Sequence, residues 1–418
     1  MKNTLLLLFL LPLLSFGQTE EEAFAKIRKA LEYPDTVTVL DLSGYQLMFL
    51  PEEIGQLVNL KELDLSGNQF TSLPKELGRL TNLLSLNLSS NQLTSLPVEL
   101  SNLNKLQVLN LSYNSFKDAP EVLNALPSLV ELDCGGFLKY PETDGLGRLK
   151  YGGNKISSDA FTNLPNLVKF NLCGNAIEGN LPLGITQMHN LQELCLDGAF
   201  SLDSGQLPKL KKLTAYGEWI GYLKNLEELN TTILYADSNS AAWLSNLQNL
   251  RVLNLNGSGM SSIPSAIGQL QNLNVLNLGD VNNHRHQFHN SFAFNETWLD
   301  NGTLKNIKIL NLSCANLDSI PKKIGELTNL THLDLSDNQI NEIPKEIGNL
   351  TQLEVLNLSG CGEMCLCGWN KISSIPKELS LLTNLKELYF SHTSDLDPME
   401  LSQLKWKLPN CEIHLGYQ

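Results

Sequence analysis

The chain has 418 residues, 42% hydrophobic and 18% charged, with a formal net charge of -14. That balance excludes a disordered chain. The acidic excess argues against a nucleic-acid partner, whose phosphates call for concentrated Lys and Arg.

Residues 1–17 read as a secretory signal peptide. Lys2 supplies the positive start, Leu5 to Leu14 the apolar stretch, and Ser15 and Gly17 the small residues before a cut ahead of Gln18. The apolar run is interrupted by Pro12 and is shorter than the ~20 residues that a membrane span needs. Export, to the medium or the cell surface, is therefore expected, with no transmembrane segment after cleavage. Residues 18–36 are expected to form a capping helix over the first coil. Thr19 and Glu22 have capping-box spacing, and Phe24, Ile27 and Leu31 share one helical face.

From residue 37 to 403 one pattern repeats. Val37, Leu60, Leu83, Leu106 and Leu129 stand 23 residues apart and open the motif L-x-x-L-x-L-x-x-N-x-L-x-x-L-P-x-x-I-x-x-L-x-x-L. Later starts fall at Leu146, Leu167, Leu191, Leu210, Leu226, Leu250, Leu273, Ile307, Leu330, Leu353 and Leu385, giving about sixteen coils. A unit this short cannot bury its apolar face alone and must stack on its neighbours. The alternation in L-x-x-L-x-L predicts short parallel strands, sixteen of which would line a concave face on the order of 70 Å long. Asn68, Asn91, Asn114, Asn154, Asn175 and Asn338 follow the strands, and each buried amide must bond turn backbones of its own and the adjacent coil. Pro51, Pro74, Pro344 and Pro376 are expected at the first position of short outer helices. Residues 404–418 should close the stack with a strand through Leu404, Leu408, Pro409, Cys411, Ile413 and Leu415.

These motifs closely resemble the leucine-rich repeat family, in its 23-residue class, over residues 37 to 415. The signal ending Ser15-Phe16-Gly17-Gln18 and the C-terminal Leu408-Pro409-Asn410-Cys411 look like those of secreted bacterial, Bacteroidetes-type members. The resemblance implies an α/β fold: a curved solenoid with a parallel sheet on its concave face and short helices or loops on its convex face. It also implies protein or glycan recognition through the concave face, and names no ligand.

Three departures from the consensus mark candidate sites. Between Leu129 and Leu226 the spacing becomes irregular, and Arg148, Lys150, Lys169, Lys212, Tyr216 and Trp219 appear where the other coils are monotonous. A basic and aromatic patch on an acidic protein would attract an acidic partner; plain decay of the repeat is the competing reading. An insertion after Leu278 carries His284, His286 and His289, a weak candidate zinc site against the plainer reading of a solvated loop. A second insertion holds Cys361, Cys365 and Cys367, candidates for a disulfide in an exported chain. Cys173 and Cys195 fall on exposed positions of adjacent coils, where they could approach each other. The Asn-x-Ser sites at Asn87, Asn110, Asn311 and Asn357 belong to the repeated Leu-Asn-Leu-Ser and are assigned no glycosylation role.

No catalytic constellation emerges: there is no G-x-S-x-G, no H-E-x-x-H and no phosphate-binding glycine loop. The expectation is a secreted or cell-surface binding scaffold with a protein partner, no cofactor and no enzymatic activity. A glycan-binding or adhesive surface protein is the alternative.

Overall fold

Leucines set three residues apart, then two, build strands in which only the middle residue points inward. A computed structural model of the chain describes residues 17–136, 142–143, 149–150, 155–156, 161–177, 182–199, 207–231, 241–256, 258, 260, 263–279, 304–360, 369–390 and 396–416. They fall into two compact units, residues 1–198 and 199–418.

The first unit opens with α1 (Gly17–Glu32), which starts two residues ahead of the expected Thr19 cap. Ala23, Ile27 and Ala30 form its buried face, Phe24 packs 5.4 Å from Phe49, and the Lys26 ammonium donates to the Asp41 carbonyl. Then come β1 (Val39–Asp41), β2 (Glu62–Asp64), β3 (Ser85–Asn87), β4 (Val108–Asn110), β5 (Glu131–Asp133), β6 (Glu142–Thr143), β7 (Leu149–Lys150), β8 (Lys155–Ile156), β9 (Lys169–Asn171), β10 (Ala176–Ile177) and β11 (Glu193–Ala199). Seven of them pair in parallel, in the order β1-β2-β3-β4-β5-β9-β11. The coil expected to start at Leu146 is not one of them. β5 pairs directly with β9, Leu132 opposite Phe170, while β7 pairs antiparallel with β6. Among the described residues between Leu129 and Leu167, only β5 belongs to the parallel set.

The second unit holds nine parallel strands in chain order: β12 (Lys212–Tyr216), β13 (Glu228–Asn230), β14 (Val252–Asn254), β15 (Val275–Asn277), β16 (Ile309–Asn311), β17 (His332–Asp334), β18 (Val355–Leu358), β19 (Glu387–Phe390) and β20 (Glu412–Leu415). Residues 404–407, expected as strand, end the helix α2 (Pro398–Lys407), as Leu404 is its buried residue; the Asp397 carboxylate caps it by accepting from the Met399 amide at 2.8 Å.

Stacking buries one residue per strand in register: Leu63 on Leu86 on Leu109 in the first unit, and Leu253 on Leu276 on Leu310 in the second. Each is at most 2% exposed. Most outer halves are five-residue 3-10 turns rather than α-helices; Leu183–Thr186 is one α-helical turn and Leu304–Asn306 a shorter 3-10 turn. Gly217 and Ala241 stand just before Glu218–Tyr222 and Ala242–Asn246. Proline takes that place before most of the others, at the N-cap, in extended conformation, as Pro74 does with φ -69° and ψ 142°. Its fixed φ suits that conformation, and its carbonyl accepts from the Leu77 amide to close the turn.

The asparagine ladder forms as expected. Asn68 accepts from the Leu47 amide and donates to the carbonyls of Leu42 and Leu65. Asn91, Asn114, Asn175 and Asn338 repeat the donation, as does Asn370, while Asn154 lies outside the described residues. A second ladder runs along the turns that precede the strands. Asn59, Asn82, Asn249, Asn272, Asn306 and Asn329 each donate to one carbonyl of the preceding coil.

Candidate binding face

Because each three-residue strand buries only its centre, its first and third residues face solvent, and direct register lines them up in columns. The residue ahead of the strand forms another column. Chemistry available for a partner is therefore read by column.

The third-position column closes on itself. The Asp64 carboxylate accepts from the Ser66 amide at 2.8 Å and from its hydroxyl at 2.6 Å. Asp41 with Ser43, Asn110 with Ser112 and Asp334 with Ser336 do the same. This local side-chain-to-backbone turn explains why Ser recurs two residues on. Links also run between strands: the Asn87 amide donates to Asp64, Asn171 to Asp133, Asn254 to Asn230, and Asn277 to Asn254. The Ser43 hydroxyl, then its amide, then Lys26 lower the Asp41 pKa below the usual carboxylate range. Asp334 moves the other way, since burial raises it against the hydrogen bonds from Ser336 and Asn357.

The first-position column differs between the units. In the first it reads Val39, Glu62, Ser85, Val108, Glu131, Lys169, Glu193. Lys169 is tied to Glu131 at 3.0 Å, and that hydrogen bond is the main cause of its raised pKa. In the second unit Lys212 pairs with Glu228 at 2.9 Å. Beyond them Val252, Val275 and Ile309 stand side by side, followed by His332 and Val355. The valines and the isoleucine are half-buried and form an apolar stripe on the open side of the strands.

Of the residues singled out by sequence, Lys169 belongs to the first unit, and Lys212, Tyr216 and Trp219 to the second. Lys150 sits in β7, opposite Glu142 and away from the parallel strands, and Arg148 lies outside the described residues. Tyr216 is half-buried, and its carbonyl accepts from the Trp219 indole at 2.8 Å. Trp219 itself is 5% exposed, so it is a core residue and not a surface one: its outer turn folds the ring inward beneath Gly217. His284, His286 and His289, and Cys361, Cys365 and Cys367, all lie outside the described residues. Cys173 and Cys195 form a disulfide between neighbouring coils, their Cα atoms 5.3 Å apart. The apolar stripe was missed because its members are ordinary strand formers. Its signal is visible only when the first positions of successive coils are read as one column.

A family model described as a leucine-rich repeat region matches residues 38–133 and 295–411, half of the chain. No curated protein matches the sequence. Among solved structures, a leucine-rich repeat protein of Leptospira interrogans is similar at 27% identity and a TM-score of 0.58, covering 93% of this chain and 98% of its own. The complex of TLR13 with ssRNA13 is similar in fold, with 20% identity, a TM-score of 0.56 and coverage of 92% of this chain and 62% of that one. A TDR receptor is also similar in fold, with 22% identity, a TM-score of 0.51 and coverage of 94% and 65%.

Proposed function

Because the chain belongs to the leucine-rich repeat family, we propose that it is an exported protein-binding scaffold, secreted or held at the cell surface, whose partner docks on the strand face of its repeats. The observation that carries this reading is the stripe of Val252, Val275 and Ile309 on the open side of the second unit, with Val355 beyond His332. Strand formation favours such residues, but Glu62, Ser85, Glu131, Glu228 and Glu387 hold the same position in other strands. The fold therefore does not demand an apolar residue there. A contiguous apolar row bordered by polar columns is the usual character of a contact surface. The strands that hold it are pre-organised, so docking costs little ordering entropy. Lys212 and Tyr216, two strands away on β12, extend the same face as flanking contacts.

Export is supported by the signal-like residues 1–17 and by the Cys173–Cys195 disulfide, a bond that persists in oxidising compartments. No helix among the described residues is long and apolar enough to cross a membrane. The reading is one of binding and not catalysis, in line with the family. A glycan-binding or adhesive role is the second reading. It draws on Tyr222, which is 59% exposed, and loses the stacking ring of Trp219 to the core.

The test is capture of surface proteins by the immobilised full chain, run beside a glycan array. Val275→Glu with Ile309→Glu should weaken a captured protein at least about tenfold, since both charges would lie at the centre of the contact. Equal capture by the variant, or selective oligosaccharide binding with no protein retained, overturns the proposal.

A further inference from the structure

The column one residue ahead of each strand carries most of the second unit's face charges. Its two ends are closed ion pairs: Lys211 with Glu227 at 2.9 Å, and Lys386 with Glu354 at 2.6 Å. Between them stand Arg251, Asn274, Lys308 and Thr331, ahead of four neighbouring strands. Neither cation forms a hydrogen bond or an ion pair among the described residues, and the Asn274 side chain forms no hydrogen bond there. Two cations without an ion pair thus sit in a chain of net charge -14; Arg251 feels Glu227 at its side, but that carboxylate is bonded to Lys211.

This stretch is also concave. Arg251, Asn274 and Lys308, with Asn272, Asn306 and Asn329 of the second ladder, line an open depression of about 430 Å³. The three ladder amides each spend one N–H on the preceding coil, to the carbonyls of Gln248, Gln271 and Lys305. An amide has two N–H groups, so each keeps one, and Asn274 keeps both. Arg251 adds a planar fork of donors and Lys308 an ammonium. Strand spacing sets the backbones of Arg251 and Lys308 roughly 10 Å apart, with Asn274 between them. Donors and positive charge dominate the lining, and no aromatic ring is among its residues to stack on a sugar. The residues that follow Arg251, Asn274 and Lys308 are Val252, Val275 and Ile309, so the depression borders the apolar stripe.

From this we infer that the depression is a carboxylate-binding subsite, which takes an acidic segment of the protein partner while apolar side chains beside that segment rest on the stripe. The inference rests on the protein-binding reading above. The chain's overall negative charge does not defeat it. At physiological ionic strength charges beyond about 8 Å are screened, and the nearest acids of the column, Glu227 and Glu354, are already held by lysines.

The probe is a fluorescein-labelled deca-glutamate peptide, titrated with the full chain and followed by anisotropy. A galacturonate decamer and inorganic phosphate serve as competitors. Arg251→Gln with Lys308→Gln should weaken peptide binding at least tenfold, and raising the salt should weaken the wild type likewise. Lys322→Gln with Lys377→Gln, exposed on outer turns of the same unit, makes the same change in net charge and should leave it unaltered. Three results overturn the inference: no saturable peptide binding, equal loss in both double variants, or displacement of the peptide by galacturonate at lower concentration than by unlabelled peptide. If peptide binding fails while Val275→Glu with Ile309→Glu still abolishes protein capture, the subsite is wrong and the scaffold stands. The reverse pattern removes the scaffold reading.

Discussion

Asn338 offers the sharpest test of what holds the stack together. Its side chain is 0% exposed. Its oxygen accepts from the amides of Ala315 and Leu317, each at 3.0 Å, and its nitrogen donates to the carbonyls of Leu312, Leu335 and Ser336 at 2.8, 3.0 and 3.0 Å. Asn338→Ala leaves both amides without that acceptor, in a turn where Ala315 and Leu317 are at most 1% exposed. A buried group that loses its partner costs about 1–3 kcal/mol. Two such groups, with some relaxation of the turn, give an expected loss of about 3–5 kcal/mol. Asn329→Ala, which removes one exposed bond to the Lys305 carbonyl, is the control and should cost under about 1 kcal/mol. Each coil touches only its neighbours, so the damage should be local. Hydrogen exchange read by mass spectrometry should therefore show faster exchange around residues 312–340 in the first variant, alongside a lower urea midpoint. A loss below about 1 kcal/mol, or exchange changed evenly along the chain, would refute the ladder as a structural spine.

Replacing both Cys173 and Cys195 by Ser opens a link across a sequence separation of 22 and should cost about 3 kcal/mol in non-reducing urea titrations. Because Cys314 is disulfide-bonded as well, the comparison is made with both chains in reductant, where wild type and variant should share one midpoint; equal midpoints without reductant would contradict a stabilising role. Burial raises the Asp334 carboxyl, so the folded state holds this proton more tightly than the unfolded chain. Its favourable contribution is present below the unfolded Asp value and fades as the pH rises through the folded one. Asp334→Asn, the residue found at this position in β16 and β18, should therefore melt at the same or a higher temperature at pH 7, with the gap closing below about pH 4. A lower melting temperature at pH 7 would reverse the sign.

Much of the fold was legible because its signal repeats. A single Asn after a strand says little, whereas Asn68, Asn91 and Asn114 at one spacing announce a ladder, and the structure forms it. Leu146 and Leu149 mimicked a coil start by spacing alone. What sequence does not contain is the pairing decision, and β5 takes β9, whose middle residue Phe170 seats on Leu132, over the nearer segment. The closing strand β20 then restores the expected number of sixteen parallel strands among the described residues. The outer prolines were placed one residue too far in, since φ near -65° serves an extended N-cap as well as a first helical residue.

The candidate site was harder to read because charge in such a fold has meaning only across strands. Lys169 and Lys212 looked like a basic patch when counted along the chain. In register, each stands beside a glutamate from a neighbouring coil, Glu131 at 38 residues' distance and Glu228 at 16. These pairs are exposed and contribute little to stability, but they cancel the charge that a partner would feel. Arg251 and Lys308 were passed over as ordinary members of regular coils, yet neither side chain is ion-paired: Lys308 has no carboxylate next to it in its column, and Glu227 beside Arg251 is already bonded to Lys211. Incomplete pairing, and not the number of lysines, is what separates a surface that is finished from one that is still available. In a parallel sheet with direct register, laying the exposed positions out by column recovers that difference, because neighbours in a column are neighbours in space at about 4.8 Å.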